Sequence, residues 1–274
     1  MKALVINLDE ATERMAFQDF QLNLLGIHYI RLSANCTSHQ KFHEQYHNLW
    51  ERPLSYAEVS CFFNHKKAWE MIVEQNSPML ILEDDACLAQ NTADLLNKIQ
   101  SIDHMDYLNL EARGNTQRKL IAKKQRYTFD DAAIFRLFQG RSGAGGYILW
   151  PSGAKKLLSR FNMGEVGIVD KFINASYKLK AFQLEPAILI QIDKCKHYGL
   201  NTPIETHSYI SSSNKHLMAS NYSIRHRIKR IKGQIVIALN RFCHLYQSKY
   251  RPIRISDRFS YPTESKTQQT YTSE

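Results

Sequence analysis

The sequence predicts an α/β fold: a Rossmann-type mixed sheet flanked by helices, with a basic helical extension near the C-terminus. Three observations predict it. The chain opens β-α-β, as a doubly wound sheet does. Short apolar runs then alternate with helix-length amphipathic segments as far as Ile190. A hydrophobic fraction of 43% over 274 residues supplies the core of one large domain.

Ala3-Leu4-Val5-Ile6-Asn7-Leu8 is a continuous apolar run and reads as a buried parallel strand. Thr12 to Leu25 reads as a helix on Met15, Phe17, Leu22 and Leu25, with Gly26 as its stop. His28 to Leu32 reads as the second strand. Residues 33 to 53 are polar and carry no clear period. Ser55 and Glu58 form a capping-box pair that starts a helix running to Gln75, where Asn76-Ser77-Pro78 breaks it. Met79 to Leu82 is a short buried strand, Thr92 to Ile99 a helix, and Tyr107 to Leu110 a strand. Residues 113 to 128 read as a basic, polar loop, and Gly140 to Gly146 as a glycine-rich one. Tyr147 to Trp150 is strand-like; helices follow from Pro151 to Leu158 and from Val169 to Tyr177, then a strand over Ala187 to Ile190. Ser211 to Asn214 reads as a linker. The expected units are a catalytic domain over 1–213, a basic amphipathic helical extension over 214–258, and a polar tail over 259–274.

The net charge of +10 is uneven. Between Arg225 and Arg258 stand ten Lys or Arg and one acid, and the tail from Phe259 carries one Lys and two Glu, so the other residues hold only +2. Ile224, Ile228, Ile231, Ile235, Leu239, Phe242 and Leu245 recur at helical spacing among these basic residues. A basic amphipathic helix of this kind lies in an anionic membrane interface, or else packs on the domain or on a second subunit. Nucleic acid is not an expected partner, because the segment lacks regular aromatic interleaving and the rest of the chain is nearly neutral. The five cysteines are widely spaced and show no CxxC pair, which fits a reducing compartment. With no signal-peptide core and no run of ~20 apolar residues, the expected location is the cytoplasm, peripheral on the cytoplasmic face of the inner membrane.

Glu83-Asp84-Asp85 follows the strand Met79 to Leu82 directly. Ligands of open α/β sheets bind outside the carboxyl ends of strands. Three acids there repel one another and desolvate badly. A hard divalent cation with oxygen ligands resolves the conflict and can bridge a diphosphate. A solvated acidic loop is the alternative reading of the triplet alone.

Several segments in order carry more. Val5-Ile6-Asn7-Leu8-Asp9 with Arg14, the run Glu58 to Trp69, Leu80-Ile81-Leu82-Glu83-Asp84-Asp85, Gly143 to Leu149, Gly153 to Leu158, Val169-Asp170 and Pro186 to Gln191 resemble landmarks of glycosyltransferase family 25, the bacterial lipooligosaccharide galactosyltransferases. The resemblance covers residues 1 to 192. It implies a GT-A-like fold, a UDP-hexose donor, a lipid-linked oligosaccharide acceptor, Mn²⁺ (with Mg²⁺ as a substitute) and inversion at the anomeric carbon. Asn64, the Gly-Ala-Gly-Gly segment and Lys171 depart from the family's usual residues and bear on sugar or acceptor choice.

The resemblance also implies roles. Asp85, with Asp84 second, would hold the metal, and a late histidine, His197 or His207, would be its third protein ligand. Glu83 is open between metal ligand, ribose contact and orienter. Asn7 and Asp9 would meet uridine or ribose, Arg14 a phosphate and His65 the donor; Gly145 would let the backbone approach the sugar. Asp170 would be the general base for the acceptor hydroxyl; its bland alternative is a helix N-cap. Galactose is the expected sugar and glucose the near alternative. The oligomeric state is open.

Overall fold

The computed structural model describes residues 1–34, 40–114, 117–141, 143–202, 204 and 224–259. His207 and the expected boundary near 213 lie outside them.

The expected α/β architecture is present. Among the described residues its main sheet has nine strands in the order β11-β6-β7-β9-β5-β8-β3-β1-β2. Along the chain, the first half supplies β1 (Ala3–Leu8), α1 (Thr12–Leu24), β2 (Tyr29–Ala34), α2 (Gln40–Tyr46), α3 (Tyr56–Gln75), β3 (Met79–Glu83), β4 (Ala86–Leu88), α4 (Thr92–Ile99) and β5 (Tyr107–Asn109). The second half supplies β6 (Lys119–Thr128), β7 (Ala133–Gln139), β8 (Gly146–Leu149), α5 (Pro151–Asn162), α6 (Val169–Asn174), β9 (Ala181–Glu185), β10 (Leu189–Gln191), α7 (Ile224–His244) and β11 (Ser248–Arg251). β1 runs parallel to β2 and β3, and β5 to β9; the other sheet pairings are antiparallel. β4 and β10 form a separate two-stranded ribbon.

Strand alternation divides the core in two. Leu4, Ile6 and Ile81 point to one face and pack with α3, α5 and α6 through Phe62, Trp69, Leu157 and Phe172. Ala3, Val5, Leu80 and Leu82 point to the other, where Phe17, Leu22, Leu95 and Ile99 of α1 and α4 cover them. Ser55 caps α3 with the reciprocal Glu58 bonds that its sequence calls for, worth about 1 kcal/mol. Asn76, at φ 47°, ends it.

Two expectations are corrected. Residues 119–128, read as part of a loop, form β6: its first three residues are buried, and its ladder to β7 shifts register three times. Those irregularities hide the period-two pattern by which a strand is recognised. Beyond α7, Ser248–Arg251 is a strand, pairing antiparallel with β6 through Ser248–Ala122 to Arg251–Lys119. The segment is tied down there. Arg251 makes a bidentate pair with the buried Glu185 carboxylate, which also accepts the Arg254 N–H at 3.0 Å.

Burial pushes the Glu185 carboxyl up, but the Arg251 pair and the Arg254 N–H outweigh it and hold it below its usual range. A depressed carboxyl contributes stability above its unfolded pKa of about 4.3 and loses it as pH falls through the folded value. Arg251→Ala should therefore cost about 2 kcal/mol in urea unfolding at pH 7, since it strands a buried charge. The gap from wild type should close in acid, below about pH 4; a gap that persists there would show that the pair acts through packing alone.

Candidate active site

β1, β3 and β5 end at the same edge of the sheet, because β8 runs antiparallel to both β3 and β5 and brings its N-terminus between them. The residues after those ends form the site. Glu83-Asp84-Asp85 leaves β3, Glu111 and Arg113 leave β5, Gly143 to Gly145 lead into β8, and α6 adds Asp170.

The turn that carries the triplet is fixed from α1. Gln18 Nε2 donates to the carbonyls of Asp84 and Ala86, at 3.0 and 2.8 Å, while Gln21 Nε2 reaches Ala86 O and Gln21 Oε1 takes the Leu88 N–H. Asp84 is buried. Asn7 Nδ2 donates to Asp84 Oδ2 at 2.9 Å and Arg14 Nη1 to Oδ1 at 3.1 Å. Burial raises the Asp84 carboxyl above its usual value, while Arg14 and Asn7 pull the other way. The Asn7 amide is fully engaged, since it also donates to Ala11 O and accepts from Arg31 Nε. Asp9 accepts from Arg31 Nη2 at 2.8 Å and from the Ser33 hydroxyl. Asn7 and Arg14 thus serve the triplet itself.

Asp85 differs. Its Oδ1 is buried and, among the described residues, has no hydrogen-bond partner. Burial first, then the Glu83 and Asp84 charges, push its carboxyl up to about 8, with Arg14 opposing. A buried carboxylate oxygen without a donor is costly. A divalent cation would remove that cost, so the residues present fit a metal. Asp84, with both oxygens engaged, stands behind Asp85 as a support.

Glu83 is held by a chain of aromatic side chains. His65 Nε2 lies 3.2 Å from Glu83 Oε1, His65 Nδ1 lies 2.9 Å from the Tyr147 hydroxyl, and Trp69 Nε1 donates to that hydroxyl at 2.9 Å. Burial acts to raise the Glu83 carboxyl, but the His65 bond and the charges of Arg113 and Arg14 outweigh it and leave it below its usual range. His65, expected at the donor, is fully buried behind Glu83.

Glu111 was not anticipated, although Tyr107 to Leu110 followed by an acid repeats the strand-then-acid pattern of Met79 to Glu83. The basic residues after it suggest a loop instead. Glu111 is fully buried. Its Oε2 takes the Gly145 N–H at 3.2 Å, and Arg113 Nε sits 3.0 Å from Oε1, too bent for a hydrogen bond. Burial and the Asp170 charge raise its carboxyl, against Arg113 and Lys119. The buried Lys119 ammonium donates to Asn109 Oδ1, Glu111 O and Gln183 Oε1.

Asp170 grips the glycine loop from outside. Its Oδ1 accepts the N–H groups of Gly143 (3.1 Å) and Ala144 (2.6 Å), and Arg113 Nη1 meets Oδ2 at 2.8 Å. Arg113 also donates to Gln191 Oε1 at 3.0 Å. Gly143, at φ +114°, lies so close to Glu111 that a side chain would meet its Oε2 at 2.5 Å, and one on Gly146 would meet Leu189 at 1.9 Å. Both backbone groups of Gly145 are engaged, its N–H by Glu111 and its C=O by Glu83 N–H. The loop is buried, its glycines make room for Glu111 and Leu189, and its N–H groups are engaged by Asp170 and Glu111. The 3-10 turn Ile192–Tyr198 starts at Asp85, whose carbonyl takes the Ile192 N–H, and carries His197 to lie over Gly114.

Comparison with known proteins gives this cluster a context. Residues 1–173 match the family described as Glycosyltransferase family 25 (LPS biosynthesis protein). A Haemophilus influenzae protein named as a glycosyltransferase is 28% identical over 192 residues, which are 68% of this chain and 66% of that protein. The human procollagen galactosyltransferase 2 is 23% identical over 50% of this chain and 25% of its own length. The chain thus spans just under two thirds of the first relative and a quarter of the second. A solved glycosyltransferase involved in glycosylating the major capsid of PBCV-1 overlaps 70% of this chain and 94% of its own at 9% identity and a TM-score of 0.38, too loosely to bear on function. The family match takes in β1, the triplet, Glu111, the glycine loop and Asp170 together, and the chain belongs to glycosyltransferase family 25.

Proposed function

We propose that the protein transfers a hexose, galactose first and glucose as the near alternative, from a UDP-sugar to a lipid-linked lipooligosaccharide core, with inversion and with Mn²⁺ or Mg²⁺ as cofactor. The observation that carries this reading is the buried, unpartnered Oδ1 of Asp85 at a strand end in a glycosyltransferase family. Asp85 would hold the cation, with Asp84 behind it and His197 as the candidate third ligand. When bound, the cation draws the charge that develops on the departing diphosphate. Glu83 keeps a charged carboxylate at the mouth, and Gly145, in the loop beside it, is the candidate backbone neighbour of the sugar. Asp170 is the base in this reading. Its Oδ1 is held by the loop, while Oδ2 accepts from Arg113 and keeps a lone pair at a partly exposed edge. The distant relative named as a galactosyltransferase favours galactose.

The membrane reading gains support from how α7 sits. The helix meets the body through its polar side: Lys229 Nζ donates to Leu49 O at 2.7 Å, Asn240 Nδ2 to Phe138 O at 2.9 Å, and the His244 ring stacks on Phe138 at 4.1 Å. Ile228, Ile231, Ile235, Leu239 and Phe242 face outward. The helix contains six Lys or Arg and no Asp or Glu. Two such helices repel, whereas an anionic lipid surface satisfies both the charge and the apolar stripe. No helix among the described residues is long and apolar enough to cross a membrane.

Asp85→Asn should abolish Mn²⁺-dependent turnover of the UDP-hexose, by about 10³-fold. It should leave the thermal midpoint unchanged or higher, since it removes a crowded buried charge. Turnover that survives in this variant refutes the metal assignment. Ile231→Asp with Leu239→Asp should weaken binding to phosphatidylglycerol-rich vesicles by more than about tenfold and leave turnover of a soluble acceptor intact. Unchanged vesicle binding refutes the lipid surface.

A further inference from the structure

Three fully buried side chains stand behind Glu83, and their hydrogens can be placed by elimination. Indole Nε1 is a donor only, so the Trp69 bond to Tyr147 occupies one lone pair of the hydroxyl oxygen. The hydroxyl then has one hydrogen to give. Among the described residues, the acceptor within reach is His65 Nδ1, 2.9 Å away. A nitrogen that accepts cannot carry a proton, so a neutral imidazole here bears its hydrogen on Nε2. That hydrogen points at Glu83 Oε1, 3.2 Å away. In the other neutral tautomer, and in the imidazolium, Nδ1 would donate to Tyr147 and leave the hydroxyl hydrogen with no acceptor in a site closed to water. Such an unsatisfied buried donor is strongly disfavoured.

We propose that Tyr147, oriented by Trp69, is a positioning residue that sets the His65 tautomer and so aims the Glu83 carboxylate into the active site. The chain runs one way, Trp69 N–H to Tyr147 O–H to His65 N–H to Glu83. Packing fixes its far end: the indole stacks on Phe172, with ring centroids 5.8 Å apart, and the Tyr147 ring lies 5.1 Å from Tyr107. The phenol hydroxyl is what makes the direction definite, because it can accept from one neighbour while donating to the other. A phenylalanine at 147 keeps the ring and loses the signal. The inference rests on the proposed function only for the consequence of the aim, which is cation affinity at the triplet. The tautomer itself does not depend on that reading.

Long-range ¹⁵N–¹H correlation spectra of the full-length protein at neutral pH test the first claim without any variant. His65 should appear as the neutral Nε2–H form. A neutral Nδ1–H form or an imidazolium overturns the proposal. In Tyr147→Phe the Nδ1 lone pair loses its donor, so the His65 ring signals should leave the single Nε2–H form, and the affinity for Mn²⁺ alone, followed by the EPR signal of the free ion, should fall by about 10- to 100-fold. The spectra of the unaltered protein cover the case of a Tyr147 variant that fails to fold. A Tyr147→Phe protein that keeps both the tautomer and the Mn²⁺ affinity unchanged overturns the proposal. A tautomer shift in a protein that shows no glycosyl transfer would sink the proposed function and leave the positioning role standing.

Discussion

Carboxylates crowd the end of one sheet with too few cations beside them, and much of the architecture answers that crowding. Glu83, Asp84, Asp85, Glu111 and Asp170 converge there, against Arg14, Arg113 and the buried Lys119. Like charges in low dielectric raise one another's affinity for protons, and Asp85 shows it most. Each of the other four has partners. Asp84 has Asn7 and Arg14, Glu83 has His65, Glu111 has Gly145, and Asp170 has the loop N–H groups and Arg113. Among the described residues two carboxylate oxygens of this cluster accept no hydrogen bond: Glu111 Oε1, which still has the Arg113 guanidinium at 3.0 Å, and Asp85 Oδ1, which has no ion pair.

Neutral groups do much of the holding. Gln18 and Gln21 reach from the core face of α1 to the turn carbonyls, so the triplet cannot splay apart under its own repulsion. The glycine loop is held between Glu111 beneath and Asp170 outside. Arg113 spans Asp170 and Gln191 and joins this loop to the end of β10. In such a network, removing one partner strands another buried group, so the effects of substitutions here will not add.

Local pattern made the scaffold legible and said much less about the site. β1, α1, α3 and β3 announce themselves through apolar runs, a capping box and breakers, and they occupy the residues those signals mark. β6 does not, because its ladder slips register repeatedly. The end of the chain was unreadable for another reason: β11 is four residues of mixed polarity, and pairing with β6 makes it a strand. In the site, the triplet stood out because three acids end an apolar run. Glu111 carries the same signal with one acid, and basic neighbours mask it. His65 was picked out by its family motif, yet its contacts lie with Tyr147 and Glu83, whose approach depends on tertiary packing. Asn7 sits at a strand mouth, where its sequence position suggests a ligand contact; the structure gives its amide three protein partners instead.

The position of β11 has a consequence for how the molecule is made. β6 lies next to the edge of the sheet, and the strand that covers its outer side is synthesised long after it, once α7 has emerged. Until then β6 presents an open row of backbone donors and acceptors, a template for pairing with other chains. Domains acquire structure during synthesis from the N-terminus onward, so the nascent protein passes through a stage in which its sheet carries an open edge beside β7. Arg251 then reaches the buried Glu185 as β11 docks. Covering β6 and neutralising a buried charge are thus one event, and it comes late in biogenesis.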